Sequence, residues 1–304
     1  MIFSPENMPL EDFDQLLAGD IVQAEANLRA LLPRAKIENR SIYLQILSQI
    51  ALTEAVQKKF AEAHKTLDLA EEKLSLEDRL AHVRILLERG RVFWQEGKVE
   101  EARPLFLRSF ELGVDYGFDE HTVNAAHMVP FVAHSAKEKI EWNQRAVDMA
   151  ENSESAGAKK WLGSLHNNLG QAFLEDKQYE SAYNALAAAL EYRRKEGDEP
   201  NIRVAKWAVA RALRFLGRRE EAQSILLALE QEYETMAGSG QFDFPKEMLP
   251  SSRGLVYEEL AELGGERARE YAKMAVSDLA QDEWFCRLEP GRLERLKCIA
   301  RGEQ

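Results

Sequence analysis

The chain has 304 residues, of which 45% are hydrophobic and 30% charged, with only 17 glycines and 9 prolines. That balance supplies a continuous core and suits long helices joined by short connections. A net charge of −12 argues against a general nucleic-acid binder, which needs a basic footprint.

The chain opens Met1-Ile2-Phe3-Ser4-Pro5. It has neither the basic start nor the long apolar run of a secretory signal. No window approaches eighteen uninterrupted apolar residues, so no membrane helix and no membrane partner are expected. Cys286 and Cys298 lie twelve apart without a CxxC spacing or a neighbouring histidine. They read as reduced thiols rather than metal ligands, and the cytoplasm is the expected compartment.

Along the chain, a small residue recurs near the start of what reads as the second helix of each pair. The series is Ala24, Ala63, Ala102, Asn143, Ala182, Ala222 and Ala268, at separations of 39, 39, 41, 39, 40 and 46. An apolar residue follows four later, as in Phe106, Val147, Leu186 and Leu226. A small residue twelve earlier marks the first helix, as in Ala51, Gly90, Gly170 and Ala210. The equivalents in the first, fourth and seventh pairs are larger: Asp12, Phe131 and Val256. Turn glycines stand at Gly19, Gly97 and Gly217. Polar connections are expected over 113–122, 152–159, 195–201 and 236–250, with Phe242 and Phe244 tucking the last onto the helices. Residues 289–300, opened by Pro290, read as a terminal covering helix.

A fixed period of about forty predicts an all-α solenoid, because one helix pair cannot bury its apolar face alone. About fourteen repeat helices in about seven pairs, with a C-terminal cap, follow from the spacing. Pro130 falls inside the fourth pair's first helix and should kink or break it. The domain reading is one solenoid over 1–304, with a subdivision into 1–114 and 119–304 if the array loosens there.

These residues resemble the tetratricopeptide repeat family, whose solenoids are right-handed. Leu169, Gly170, Phe173, Tyr179, Ala182 and Leu186 carry the match best. The period exceeds the usual 34 residues and is closer to the long repeats of kinesin light chains and of bacterial peptide-sensing regulators. The resemblance implies that first helices line a concave groove. By that count Arg84, Arg91, Trp94, Asn167, Asn168, Gln171, Trp207, Arg211 and Arg214 face inward, and Arg253 with them. Arginine offers a planar bidentate donor set for carboxylates, and tryptophan an apolar anchor. In peptide-binding relatives an asparagine at the place of Asn168 grips the ligand backbone. Here Gln49, Glu88, Val129 and Ala208 hold that place in other pairs. Two readings stand for the arginines: a groove for an acidic or C-terminal peptide segment, or pairing with local acids such as Glu88 and Glu175.

His127 and His134 are seven apart, which on a continuous helix shares a face, and His166 sits at the repeat place of His127. A metal would want a third ligand that the pattern does not supply. No glycine-rich phosphate loop, HExxH or GxSxG occurs. Glu100-Glu101 and Glu220-Glu221 are at starts of second helices, where acids favour the helix dipole. No cofactor and no catalysis are therefore expected. The leading expectation is a non-enzymatic interaction scaffold for a protein or peptide partner. The alternatives are a peptide-responsive regulatory sensor and a subunit using convex or end surfaces. Composition leaves the oligomeric state open.

Overall fold

Helices follow from the repeat pattern almost everywhere. The computed structural model describes residues 8–17 and 19–303, and no strand occurs among them. Packing divides the chain into two units, Met1–Trp161 and Leu162–Gln304.

In the first unit a 3-10 segment, Leu10–Leu17, precedes α1 (Ile21–Glu38). The next pairs are α2 (Arg40–Val56) with α3 (Phe60–Glu72) and α4 (Arg79–Gln95) with α5 (Val99–Tyr116). The fourth is α6 (Asp119–Met128) with α7 (Ala136–Asn152), separated by a 3-10 turn, Val129–Val132, and followed by the short α8 (Ala156–Lys159). The second unit holds α9 (Leu162–Glu175) with α10 (Tyr179–Glu196), and α11 (Glu199–Phe215) with α12 (Arg219–Ser239). It ends with α13 (Leu249–Leu263), α14 (Ala268–Leu279), the short α15 (Glu283–Leu288) and α16 (Pro290–Arg301).

The marker residues hold each pair together. Ala24, Ala63, Ala102, Ala182 and Ala222 are buried, and so are Leu28, Leu67, Phe106, Leu186 and Leu226 four later. The glycines exist to admit those later side chains. A Cβ on Gly170 would lie 2.7 Å from Leu186 Cδ2 and 3.2 Å from the Ala182 carbonyl oxygen. On Gly90 it would lie 2.6 Å from Phe106 Cε1. Real packing does not permit such approaches. Between the helices of a pair the chain turns through a left-handed residue, Gly97 in the third and Gly217 in the sixth. Lys58 and Lys177 adopt the same conformation, at φ 61° and 60°, where the second and fifth pairs lack the glycine.

The seventh pair departs from the predicted register. Its close contact is made by Gly254, where a Cβ would lie 2.8 Å from Leu279 Cγ, and not by Val256. Leu279 lies four beyond the fully buried Ala275, which takes the role assigned to the half-buried Ala268. Several predicted connections are also shorter than expected, because their glycines close helices rather than open loops. Gly117, Gly197 and Gly240 adopt left-handed φ directly after α5, α10 and α12. The 114–119 junction is thus only Gly117 and Phe118, inside the first unit. In the long connection, Phe242 and Phe244 pack against the second unit's core, with Phe244 edge-on to Tyr233 at 6.4 Å. Leu293 and Leu296 of α16 are buried, covering the last pair through α14.

The fourth pair is the irregular one. Pro130 has no N–H to donate, and α6 gives way at Met128 to the 3-10 turn. His134 therefore lies beyond the helix, its backbone N–H donating to Glu138 Oε2 at 2.9 Å, and it does not share a helical face with His127. Asn143 takes the place of the marker alanine and is 1% exposed. Its amide donates to the Lys139 carbonyl at 2.9 Å, while Oδ1 has no hydrogen-bond partner. A buried acceptor without a partner costs stability. Asn143→Ala is expected to stabilise the first unit by about 1 kcal/mol. Thermal denaturation reads this directly, and a lower melting temperature would show that the amide is needed.

Candidate binding faces

The predicted residues divide between the two units, and each unit presents its own face. In the first, α2, α4 and α6 contribute side chains at matching heights. Arg84 of α4 is buried and forms a bidentate ion pair with Asp14 of the 3-10 segment, at 2.7 and 2.5 Å. Its guanidinium also lies 4.9 Å from the Phe13 ring centroid. Two turns on, Arg91 donates to Glu88 at 2.9 and 3.1 Å and to Asn124 Oδ1 of α6 at 2.6 Å. Glu88 in turn accepts from Gln49 of α2 at 3.3 Å. Gln49 and Glu88 occupy the same place in successive pairs, so the repeat has become a cross-helix hydrogen-bond chain. Below it runs an aromatic row. Trp94 meets Phe131 at 5.3 Å, Phe131 meets His127 at 5.5 Å, and His127 meets Trp161 at 5.2 Å. Phe131 is 44% exposed because the 3-10 turn lifts it from the helix.

The second unit carries the remaining predicted residues. Asn167 and Gln171 are half-buried on α9, away from its buried Leu165, Leu169 and Ala172, and Asn168 is half-buried beside Leu165 and Ala172 on the same helix. Asn168 is engaged within the fold. On α11, Trp207 is fixed by its indole N–H, which donates to the Leu255 carbonyl at 3.1 Å. Arg211 lies over that ring, 5.6 Å from its centroid. Arg214 Nε donates to Glu259 Oε2 of α13 at 2.5 Å and lies 4.3 Å from the Phe215 ring centroid. Arg211 Nε is 3.5 Å from Glu259 Oε1, but it is buried without a hydrogen bond. Beside this group Arg292 of α16 clamps Glu258 with two bonds, at 2.8 and 2.5 Å.

Three arginines thus meet three carboxylates on this patch, since Glu289 Oε1 also lies 3.7 Å from Arg292. Burial pushes the Glu259 carboxyl above its ordinary range, against the pull of Arg214 and Arg211. Burial likewise lowers the pKa of Arg211, with Glu259 opposing the shift. Arg253 does not join the patch. Once Gly254 sets the register, Arg253 turns to Asp278 of α14, at 2.8 and 3.0 Å.

Every predicted arginine therefore has a carboxylate partner inside the fold: Asp14, Glu88, Glu259 or Asp278. The residues not anticipated are Asp14, Asn124, Phe131, Trp161, Glu258, Glu259 and Arg292. Glu258 and Glu259 were legible in principle. They stand four and five after Gly254, which are inward positions once that glycine is taken as the marker. Among the described residues no group of three or more His, Cys, Asp or Glu side chains could hold a metal ion. No helix among them is long and apolar enough to cross a membrane.

Residues 163–196, the α9–α10 pair, match the model of the tetratricopeptide repeat family. No curated protein matches the chain in sequence. Solved structures match its fold. The apo form of RapI aligns with a TM-score of 0.67 at 15% identity, covering 85% of this chain and 95% of that one. BtubC from P. vanneervenii gives 0.59 at 16% identity, covering 79% and 96%. NprR in complex with its cognate peptide NprX gives 0.54 at 15% identity, covering 96% and 83%. The chain is built from tetratricopeptide-like helix pairs of the long-repeat kind.

Proposed function

We propose that this tetratricopeptide-like chain is a non-enzymatic interaction module that binds an acidic or C-terminal segment of a partner protein. The second unit's inner face is the contact we assign. Such folds serve protein and peptide recognition, and NprR was solved with its cognate peptide. The observation that carries the reading is Arg211. Its guanidinium lies over Trp207, its Nε makes no hydrogen bond, and Arg214 holds the other oxygen of the one carboxylate between them. An incoming carboxylate would give Arg211 the bidentate partner it lacks, while Trp207 supplies an apolar wall. The amides of Asn167 and Gln171 on α9 extend the same chemistry toward a peptide backbone.

Arg211→Ala is the cleanest test, since that side chain contributes no hydrogen bond to the fold. With a panel of acidic peptides or a captured partner, the variant should lose about 2–5 kcal/mol of binding. Affinity should also fall as salt rises. The control is Arg218→Ala, whose side chain is held by Glu221 at the α11–α12 turn. If the control loses a partner that Arg211→Ala retains, an edge or convex surface is in use.

A further inference from the structure

On α11, Arg203, Trp207 and Arg211 follow at steps of four and share one side of the helix, with Arg214 three beyond. Arg203 is the deepest of these arginines, its side chain 3% exposed. Its carboxylate comes from the connection after α12. Arg203 Nη2 donates to Asp243 Oδ1 at 2.5 Å, and the Asp243 side chain remains 42% exposed. The Phe244 ring centroid lies 5.5 Å from the same guanidinium, and Phe242 meets Phe244 at 6.0 Å.

Residues 241–245 form a strap whose hold is made by side chains. Gly240 ends α12 in a left-handed turn, and the 3-10 turn Lys246–Met248 begins directly after Pro245. Among the described residues, no backbone–backbone hydrogen bond involves 242–244. A buried guanidinium thus takes its carboxylate from a segment that no backbone ladder fixes. Loss of that carboxylate without replacement would leave a buried charge unpaired, which is costly. A carboxylate from outside could take its place without that cost.

We propose, building on the acidic-segment reading above, that the strap is a built-in stand-in for the ligand. Asp243 occupies the head of the α11 stripe until a segment with two carboxylates four residues apart displaces it, setting one on Arg203 and the other on Arg211. The spacing follows from helix and strand geometry. Eight residues separate Arg203 from Arg211, about 12 Å along the helix. An extended segment covers about 13 Å in four residues and returns its side chains to the same side at every second one. Acids at its first and fifth places therefore meet the two guanidinium groups, and its third place lies over Trp207. A ligand with one carboxylate merely trades places with Asp243, which competes as a tethered group at an effective concentration on the order of millimolar. The second contact, at Arg211, decides the exchange in the ligand's favour.

The chain supplies its own probe, since Asp243 and Glu247 are four apart. A fluorescent peptide of residues 241–247 is titrated with the full chain and followed by anisotropy. Asp243→Asn in the protein should raise affinity about tenfold over wild type, because the open state no longer has to be won from the strap. Should that variant fold poorly, Phe242→Ala/Phe244→Ala should release the strap with Arg203 intact and give the same gain. Arg203→Ala added to Asp243→Asn should abolish the gain. Peptides carrying Asp243→Asn or Glu247→Gln should each bind about tenfold more weakly than the parent peptide. Equal affinity of wild type and both strap variants, or equal binding of the parent and single-acid peptides, would overturn the proposal. Binding that Arg211→Ala loses and that no change at Arg203 or in the strap affects would overturn it while leaving the acidic-segment reading intact. No binding by any of these proteins, to this peptide or to the acidic panel, would overturn both.

Discussion

Gly170→Leu is expected to destabilise the second unit by about 3 kcal/mol, the upper end of the range for overpacked cores. The new side chain would enter space filled by Leu186, which is fully buried, and would press on the Ala182 carbonyl. Relief requires α9 and α10 to separate, and that moves contacts along the length of both helices. Glu191→Ala on the outer side of α10 is the comparison: its carboxylate is 60% exposed and paired with Arg194. An exposed pair of this kind contributes little. Chemical denaturation of the two variants should give midpoints well apart. Coincident midpoints would mean that the α9–α10 contact tolerates a side chain and that the glycine is incidental.

The second large effect is expected at Glu259. Replacing it by glutamine keeps the shape but leaves Arg211 and Arg214, both mostly buried, without their shared carboxylate. Loss of one member of such a group should cost the second unit about 3 kcal/mol. The same change frees the guanidinium of Arg211 over Trp207 and that of Arg214 over Phe215. Affinity for an acidic segment should therefore rise, by roughly tenfold where one more charge-assisted bond becomes available. The two readouts move in opposite senses, which separates this outcome from simple unfolding. Reduced stability with reduced affinity would show that Glu259 positions the arginines instead of competing with the ligand.

Much of the architecture was legible in the spacing of small residues, because helix pairs impose a local rule. Ala102 and Phe106, or Ala182 and Leu186, declare their contacts within one turn of helix. The candidate faces were less legible because their pairings are long-range. Asp14 and Arg84 are seventy residues apart, and Arg214 and Glu259 forty-five. Nothing in the local sequence says which of 52 acidic residues meets which arginine. Arg91 with Glu88 is the exception, and it is a same-helix neighbour. Phe131 was assigned a packing role by counting from Asn143. Pro130 ended the helix first, so the count carried past the point where helical geometry stops.

The displaced register of the seventh pair says something about how such arrays grow. α13 runs nine residues past Gly254, where α4 runs five past Gly90. α14 runs seven residues before Ala275, where α5 runs three before Ala102. Each arm has gained four residues, about one turn. Added equally to two antiparallel helices, a turn extends the hairpin outward and leaves the glycine facing the same partner. Added to one arm alone, it would carry Gly254 past Leu279 and put a bulky side chain in the crossing. Length in this chain is therefore free to vary in matched steps at the hairpin tips, where loops of different reach can be mounted without altering the packing beneath them.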